Sequence, residues 1–144
     1  MLAAYYGKVT SDDQYNKLRS KYGDTTATDA HIRALRACGL KPGFSTKGSV
    51  EDLKREIDAG RPVAVGWLHK GSVDKPSGGG HWSVIIGYTD THFIVHDPNG
   101  EASLVGGGYA NHTHGEAIKY SFKNWIPRWC VEGPNSGWYL TCSD

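Results

Sequence analysis

The chain opens on an apolar stretch, Met1 to Tyr6, that runs into Gly7 and Lys8 in the manner of a helix C-terminus, with no capping residue ahead of it. This predicts a helix whose first turns lie upstream of Met1. Ser11 to Tyr22 reads as a second helix. Ser11 can cap it, Tyr15, Leu18 and Tyr22 recur at helical spacing, and Gly23 ends it. A third runs from about Thr28 to Cys38, with Ile32, Leu35 and Cys38 on one face and Gly39 as the stop. Ser49 opens a fourth, with Asp52 three residues on as a variant of the capping box. Val50, Leu53 and Ile57 form its apolar stripe, and Gly60 closes it.

After Pro62 the period shortens. Val63 to Leu68 is strand-like. His81 to Tyr88 is another strand, whose consecutive Val84, Ile85 and Ile86 predict burial on both faces. Thr89 and Asp90 make a turn, Phe93 to His96 a third strand, and Asp97-Pro98-Asn99-Gly100 is strong turn chemistry. Strands joined so tightly predict an antiparallel hairpin. Ile118 to Phe122 and Trp138 to Thr141 read as further strands. Helices first and antiparallel strands afterwards predict an α+β fold, and 144 residues without linker or repeat predict a single domain, 1–144.

Composition narrows the function. Hydrophobic residues at 38% and charged residues at 22% belong to a globular chain rather than a disordered one. A net charge of +1 without a basic run argues against nucleic acid as partner. No apolar run approaches the roughly 20 residues of a membrane span, and the N-terminus is too short for a signal peptide. The three cysteines, Cys38, Cys130 and Cys142, make no C-x-x-C pair, so no structural zinc site is expected. Cys130 and Cys142 can pair, but free thiols are the simpler expectation. No metal is expected elsewhere either: His112 and His114 sit in a loop, and His92 and His96 share a strand face about 13 Å apart. Trp82, Trp125, Trp129 and Trp138 are expected in the core, with a substrate platform as the alternative; for Trp82, whose ring alternates away from His81, core comes first and platform second.

Chemistry concentrates in one segment. His81 begins a strand after Gly78, Gly79 and Gly80, and Asp97 ends the next strand of the hairpin. In an antiparallel pair the first residue of one strand lies near the last of its partner, so the two side chains can meet. A carboxylate on one imidazole nitrogen fixes the tautomer and leaves the other nitrogen to take a proton. Gly79 and Gly80 would let a substrate come close, and His69, after the preceding strand, can line the same cleft. On pattern alone a strand-initial histidine and an Asp-Pro turn also fit a satisfied surface site.

The order of segments resembles the C39-like branch of the papain-like cysteine peptidases. The resemblance runs from the Met1-to-Gly7 helix end through Gly60-Arg61-Pro62-Val63, the Gly80-His81 strand and Asp97-Pro98. The tail from Arg128 to Trp138 resembles proteins of phages and cyanobacteria. The family resemblance implies a papain-like fold, a cysteine peptidase or amidase activity, His81 as general base, Asp97 as its orienter, and no cofactor. The family's nucleophilic cysteine starts the first helix, with an oxyanion glutamine just before it. Both would fall upstream of Met1, the cysteine by about two helical turns. Cys38 is a poor substitute at a helix C-terminus, where the macrodipole disfavours a thiolate. Cys130 and Cys142 follow His81 and Asp97, the reverse of the family's order. The implied substrate is a peptide. It can be a peptidoglycan cross-link cut by a phage endolysin or virion-associated lysin acting at the bacterial cell wall, or else a leader or virion precursor. The rival reading is a non-catalytic binding or virion structural module, partnered by other virion proteins, on the same fold.

Overall fold

The structure is a computed structural model and describes residues 1–24 and 27–143. Its elements in chain order are α1 (Leu2–Tyr5), α2 (Asp12–Ser20), α3 (Thr28–Ala37), β1 (Lys41–Gly48), α4 (Val50–Asp58), β2 (Val63–Trp67), β3 (His81–Tyr88), β4 (His92–His96), β5 (Glu101–Ala102), β6 (Tyr109–Asn111), β7 (Ile118–Ser121), α5 (Phe122–Trp129) and β8 (Gly137–Ser143). Among the described residues, a six-stranded antiparallel sheet runs in the order β1-β8-β2-β3-β4-β7, and β5 and β6 form a small ribbon beside it.

Local signals account for most of the helices. The Ser11 hydroxyl accepts from Gln14 N at the start of α2. At α4, Ser49 Oγ accepts from Asp52 N while Asp52 Oδ2 accepts from Ser49 N, so two orphan amides are satisfied reciprocally. Gly39 and Gly60, both at positive φ, end α3 and α4 as expected.

Strand alternation divides the sheet into two faces. Val63, Val65 and Trp67 of β2 turn to one side with Ile85, Phe93, Val95 and Tyr120. There they pack on Leu53 of α4 and on Trp125 and Trp129 of α5. Val84, Leu140 and Cys142 turn to the other side against Leu2 and Ala3 of α1 and Leu35 of α3. The sheet is thus a middle layer between α4–α5 and α1–α3.

Four expectations are corrected. Phe122 begins α5 instead of ending a strand: the Ser121 hydroxyl accepts from Asn124 N and caps the helix, which runs to Trp129 with Pro127 inside it. Ile86 is 36% exposed rather than buried. A bulge between Ile85 and Gly87 leaves it out of register, so that Ile85 and Tyr88, three residues apart, serve the same face. Trp138, near the start of β8, is 48% exposed, with the Phe44 ring edge-on to it at 5.8 Å. Trp82 is half-buried at the edge of the α1–α3 core, while Trp125 and Trp129 are core as expected. No disulfide joins Cys130 to Cys142.

Candidate active site

The register of the hairpin fixes the site. Val84 pairs with His96 and Ile85 with Val95, so His81, Ser83 and Ile85 share a face with Val95 and Asp97. His81 also pairs with Trp67 at the end of β2, and its ring stands edge-on to that indole at 5.4 Å between centroids. Trp67 in turn donates from Nε1 to the buried Ser83 hydroxyl at 3.1 Å, which fixes the wall against which His81 rests.

His81 Nε2 lies 2.8 Å from Asp97 Oδ1, with the two side chains 9% and 0% exposed. Asp97 is otherwise saturated. Tyr120 donates to Oδ2 at 2.7 Å, Tyr109 to both oxygens at 3.0 and 3.1 Å, and Asn99 N to Oδ1 at 3.0 Å. Burial by itself pushes the Asp97 carboxyl up. The hydrogen bond and charge of His81, the Tyr120 hydroxyl and the Asn99 amide outweigh it and hold the carboxyl below its usual range. Next to that anion, burial and the carboxylate push both tyrosine hydroxyls far up, so they remain donors. Below the carboxylate, the Gly115 backbone packs on the Asp97 carbonyl so closely that a Cβ at position 115 would overlap it, and Asp97 N donates to Gly115 O at 2.8 Å.

With Nε2 committed to Asp97, Nδ1 of His81 is the nitrogen left for proton transfer. The Asn99 amide approaches it at 3.4 Å. Of the other expected site residues, His69 is brought in: its ring lies 5.2 Å from that of His81 and 5.9 Å from Tyr109. Gly79 and Gly80 form an exposed approach to His81, with open space where either Cβ would stand and a positive φ at Gly80. The cysteines lie elsewhere. Cys130 points to Gly48 O from the end of α5, and Cys38 and Cys142 pack around the α1–α3 core. Other histidines have local partners: His96 Nδ1 accepts from Ala117 N, and His112 Nδ1 donates to Asn99 O. No group of His, Cys, Asp and Glu among the described residues is arranged to hold a metal ion.

Met1 at the head of α1 borders a groove of about 270 Å³ that also touches Trp82, Pro98, Ala64 and Leu35. A shallower depression links Met1 to Asp97 and Pro98. Met1 therefore lies beside Pro98 in both depressions and beside Asp97 in the second.

Sequence reasoning missed Tyr109, Tyr120, Asn99 and Arg128. Tyr120 was within reach, since it stands at an inward position of an expected strand. Arg128 gave no signal. It is fully buried, and its guanidinium donates to the carbonyls of Leu104, Leu68, Lys70 and Gly71.

A sequence-family model described as the Peptidase_C39 like family matches residues 1–127. The chain belongs to the C39-like peptidase family. Two solved structures share its fold. The peptidase domain of Streptococcus ComA, a bifunctional ABC transporter involved in quorum sensing, superposes with a TM-score of 0.64 at 14% identity, over 98% of this chain and 83% of that one. A candidate C39-like peptidase from Bacillus anthracis superposes with a TM-score of 0.54 at 16% identity, over 81% of this chain and 57% of that one. No curated protein matches the chain in sequence. The α+β fold is the papain-like fold of C39 peptidases, and among the described residues no helix is long and apolar enough to cross a membrane.

Proposed function

We propose that this C39-like domain is a cysteine peptidase in which His81 is the general base and Asp97 its orienter. The observation that carries the reading is the 2.8 Å contact from His81 Nε2 to a buried carboxylate, which reserves Nδ1 for a thiol. The nucleophile is a cysteine on an N-terminal continuation of α1. Two turns of helix rise about 11 Å, and the groove at Met1 offers that continuation an apolar seat beside Trp82 and Pro98. The reaction follows from the geometry. Nδ1 takes the thiol proton, the thiolate attacks the peptide carbonyl, and the imidazolium, stabilised by Asp97, returns the proton to the leaving amine. Water then hydrolyses the thioester with His81 again as base. The substrate is a peptide, and the cross-links of bacterial peptidoglycan are the first candidate, at the cell wall or from a virion. The resemblance of the tail to phage proteins supports that choice. Cleavage of a soluble precursor is the second, supported by the fold shared with a transporter's peptidase domain.

A non-catalytic binding module is the rival reading, favoured by one observation: none of Cys38, Cys130 and Cys142 packs against the His81 ring. The test extends the chain upstream through the expected cysteine and compares it with its Cys→Ala variant and with the 144-residue chain, on purified peptidoglycan and on an unstructured protein. Thiol-dependent cleavage by the extended chain alone is the expected result. An extended chain inert on both, or an upstream sequence without a cysteine, would sink the peptidase reading and favour the binding module.

A further inference from the structure

His69 is a titratable residue beside His81 and Tyr109 that the proton-transfer pair does not use. Its Nδ1 is sealed from solvent with no hydrogen-bond partner among the described residues, whereas Nε2 is not sealed in this way and is the remaining polar atom of a ring whose centroid lies 5.2 Å from that of His81. The backbone that carries the ring is also held. Arg128 grips the carbonyls on either side of it, at Leu68, Lys70 and Gly71, Leu68 N donates back to Arg128 O at 3.0 Å, and the His69 carbonyl accepts from Gly108 N at 2.7 Å. Trp67, His81 and Tyr109 then enclose the ring at centroid distances of 6.4, 5.2 and 5.9 Å.

This setting dictates the protonation state. A buried N–H without an acceptor is rare because it forfeits its hydration. A proton on Nδ1, and hence the imidazolium, is therefore disfavoured. The surrounding charges agree: burial first, then His81, Lys70 and Arg128, push the group below its ordinary value, and Asp97 alone pulls the other way. What remains is a neutral ring with its proton on Nε2, beside the base that works on the scissile bond.

We propose that His69 is a substrate-binding residue whose Nε2–H donates a hydrogen bond to a backbone carbonyl oxygen of the bound peptide next to the scissile bond. The proposal rests on the peptidase reading and deepens it. An uncharged donor suits an uncharged acceptor, and a main-chain carbonyl is present in any peptide, so His69 holds the chain in register without selecting a side chain. The bond is made in ground state and transition state alike and acts on KM.

The test has two arms. In the 144-residue chain at neutral pH, ring ¹⁵N NMR should find His69 protonated at Nε2 and bare at Nδ1; the opposite tautomer or an imidazolium overturns the proposal. In the extended chain, His69→Phe keeps the packing and removes the donor, and should raise KM about tenfold with kcat unchanged. His69→Gln places an amide nitrogen near the Nε2 position and should restore KM to within about threefold. Equal behaviour of Phe and Gln, or a loss in kcat with a displaced pH limb, overturns it in favour of packing or proton transfer. If the unsubstituted extended chain cleaves no peptide, the peptidase reading has failed on its own account. The same variants are then ranked by affinity for an unstructured peptide, where a tenfold loss with Phe and recovery with Gln still supports His69 as the donor and no difference overturns it.

Discussion

The two faces of the sheet solve opposite problems. On the α4–α5 face the buried ionic groups are enclosed and answered: Asp97 by His81, Tyr109, Tyr120 and Asn99, and Arg128 by backbone carbonyls from two loops. On the α1–α3 face the core cluster against the sheet is apolar, the buried Arg19 of α2 donates to the backbone at Gly23 O, and beside Met1 the face opens into a groove. The closed face is where a base can be held in one tautomer at low reorganisation cost. The open face is where a second reacting group and a substrate can arrive. His81 is rooted in the first, and its sheet neighbours Trp82 and Ser83 border the groove of the second.

The strongest way to break this comparison is Asp97→Asn. An amide cannot accept from His81 and both tyrosines in the same manner, and its NH₂ group meets donors. In the extended chain, kcat/KM should fall by about 10³–10⁴, the loss typical of removing the orienting carboxylate of a triad. A variant with near-normal kcat/KM would mean that the closed face is structural only.

Core truncation sharpens the contrast without reference to activity. Leu53 and Leu35 are 0% and 2% exposed, yet only Leu35 also borders the groove. Urea unfolding should give a cost of about 3–5 kcal/mol for Leu53→Ala and about 2 kcal/mol for Leu35→Ala, because a cavity next to an opening relaxes more fully. Equal costs would mean that both faces are equally closed. Arg128→Met comes next, at about 3 kcal/mol by the same measurement. It removes a buried charge but strands the carbonyls of Leu68, Lys70, Gly71 and Leu104. It should also free the loop that carries His69, seen as faster amide exchange at Leu68 and Gly108, whose N–H groups donate to Arg128 O and His69 O.

How much of this was legible in the chain follows from the range of each interaction. The helix caps at Ser11 and Ser49 and the β3–β4 hairpin are local, and residue spacing was enough to read them. The meeting of His81 and Asp97 followed from the hairpin, since one tight turn makes the pairing nearly local. The misses are long-range or involve a local rule overridden. β1 contains Pro42 and Gly43, poor strand formers, and is tolerated because it lies at the sheet edge. Pro127 hid α5. The bulge at Ile86 broke a period that alternation assumes to be constant. Arg128 reads as a surface cation, and its acceptors lie between 24 and 60 residues away.

The smallest expected effect separates a tuned carboxylate from one that is merely buried. Tyr120→Phe deletes one donor to Asp97 and the acceptor for Ala102 N, and leaves His81, Tyr109 and Asn99 in place. The folded-state carboxyl of Asp97 lies below its unfolded value. It contributes stability that is fully present above the unfolded pKa and is lost as pH falls through the folded one. Removing the Tyr120 hydroxyl raises the folded pKa toward the unfolded value. The variant should therefore lose about 1 kcal/mol near neutrality, and its acid unfolding should begin at higher pH than that of the unsubstituted chain. In the extended chain the acid limb of the rate profile should move in the same direction, because a protonated Asp97 no longer stabilises the His81 imidazolium. Stability curves that differ by the same amount at every pH would show that Tyr120 acts through packing and the Ala102 contact. The ionisation of Asp97 would then rest on His81, Tyr109 and the Asn99 amide.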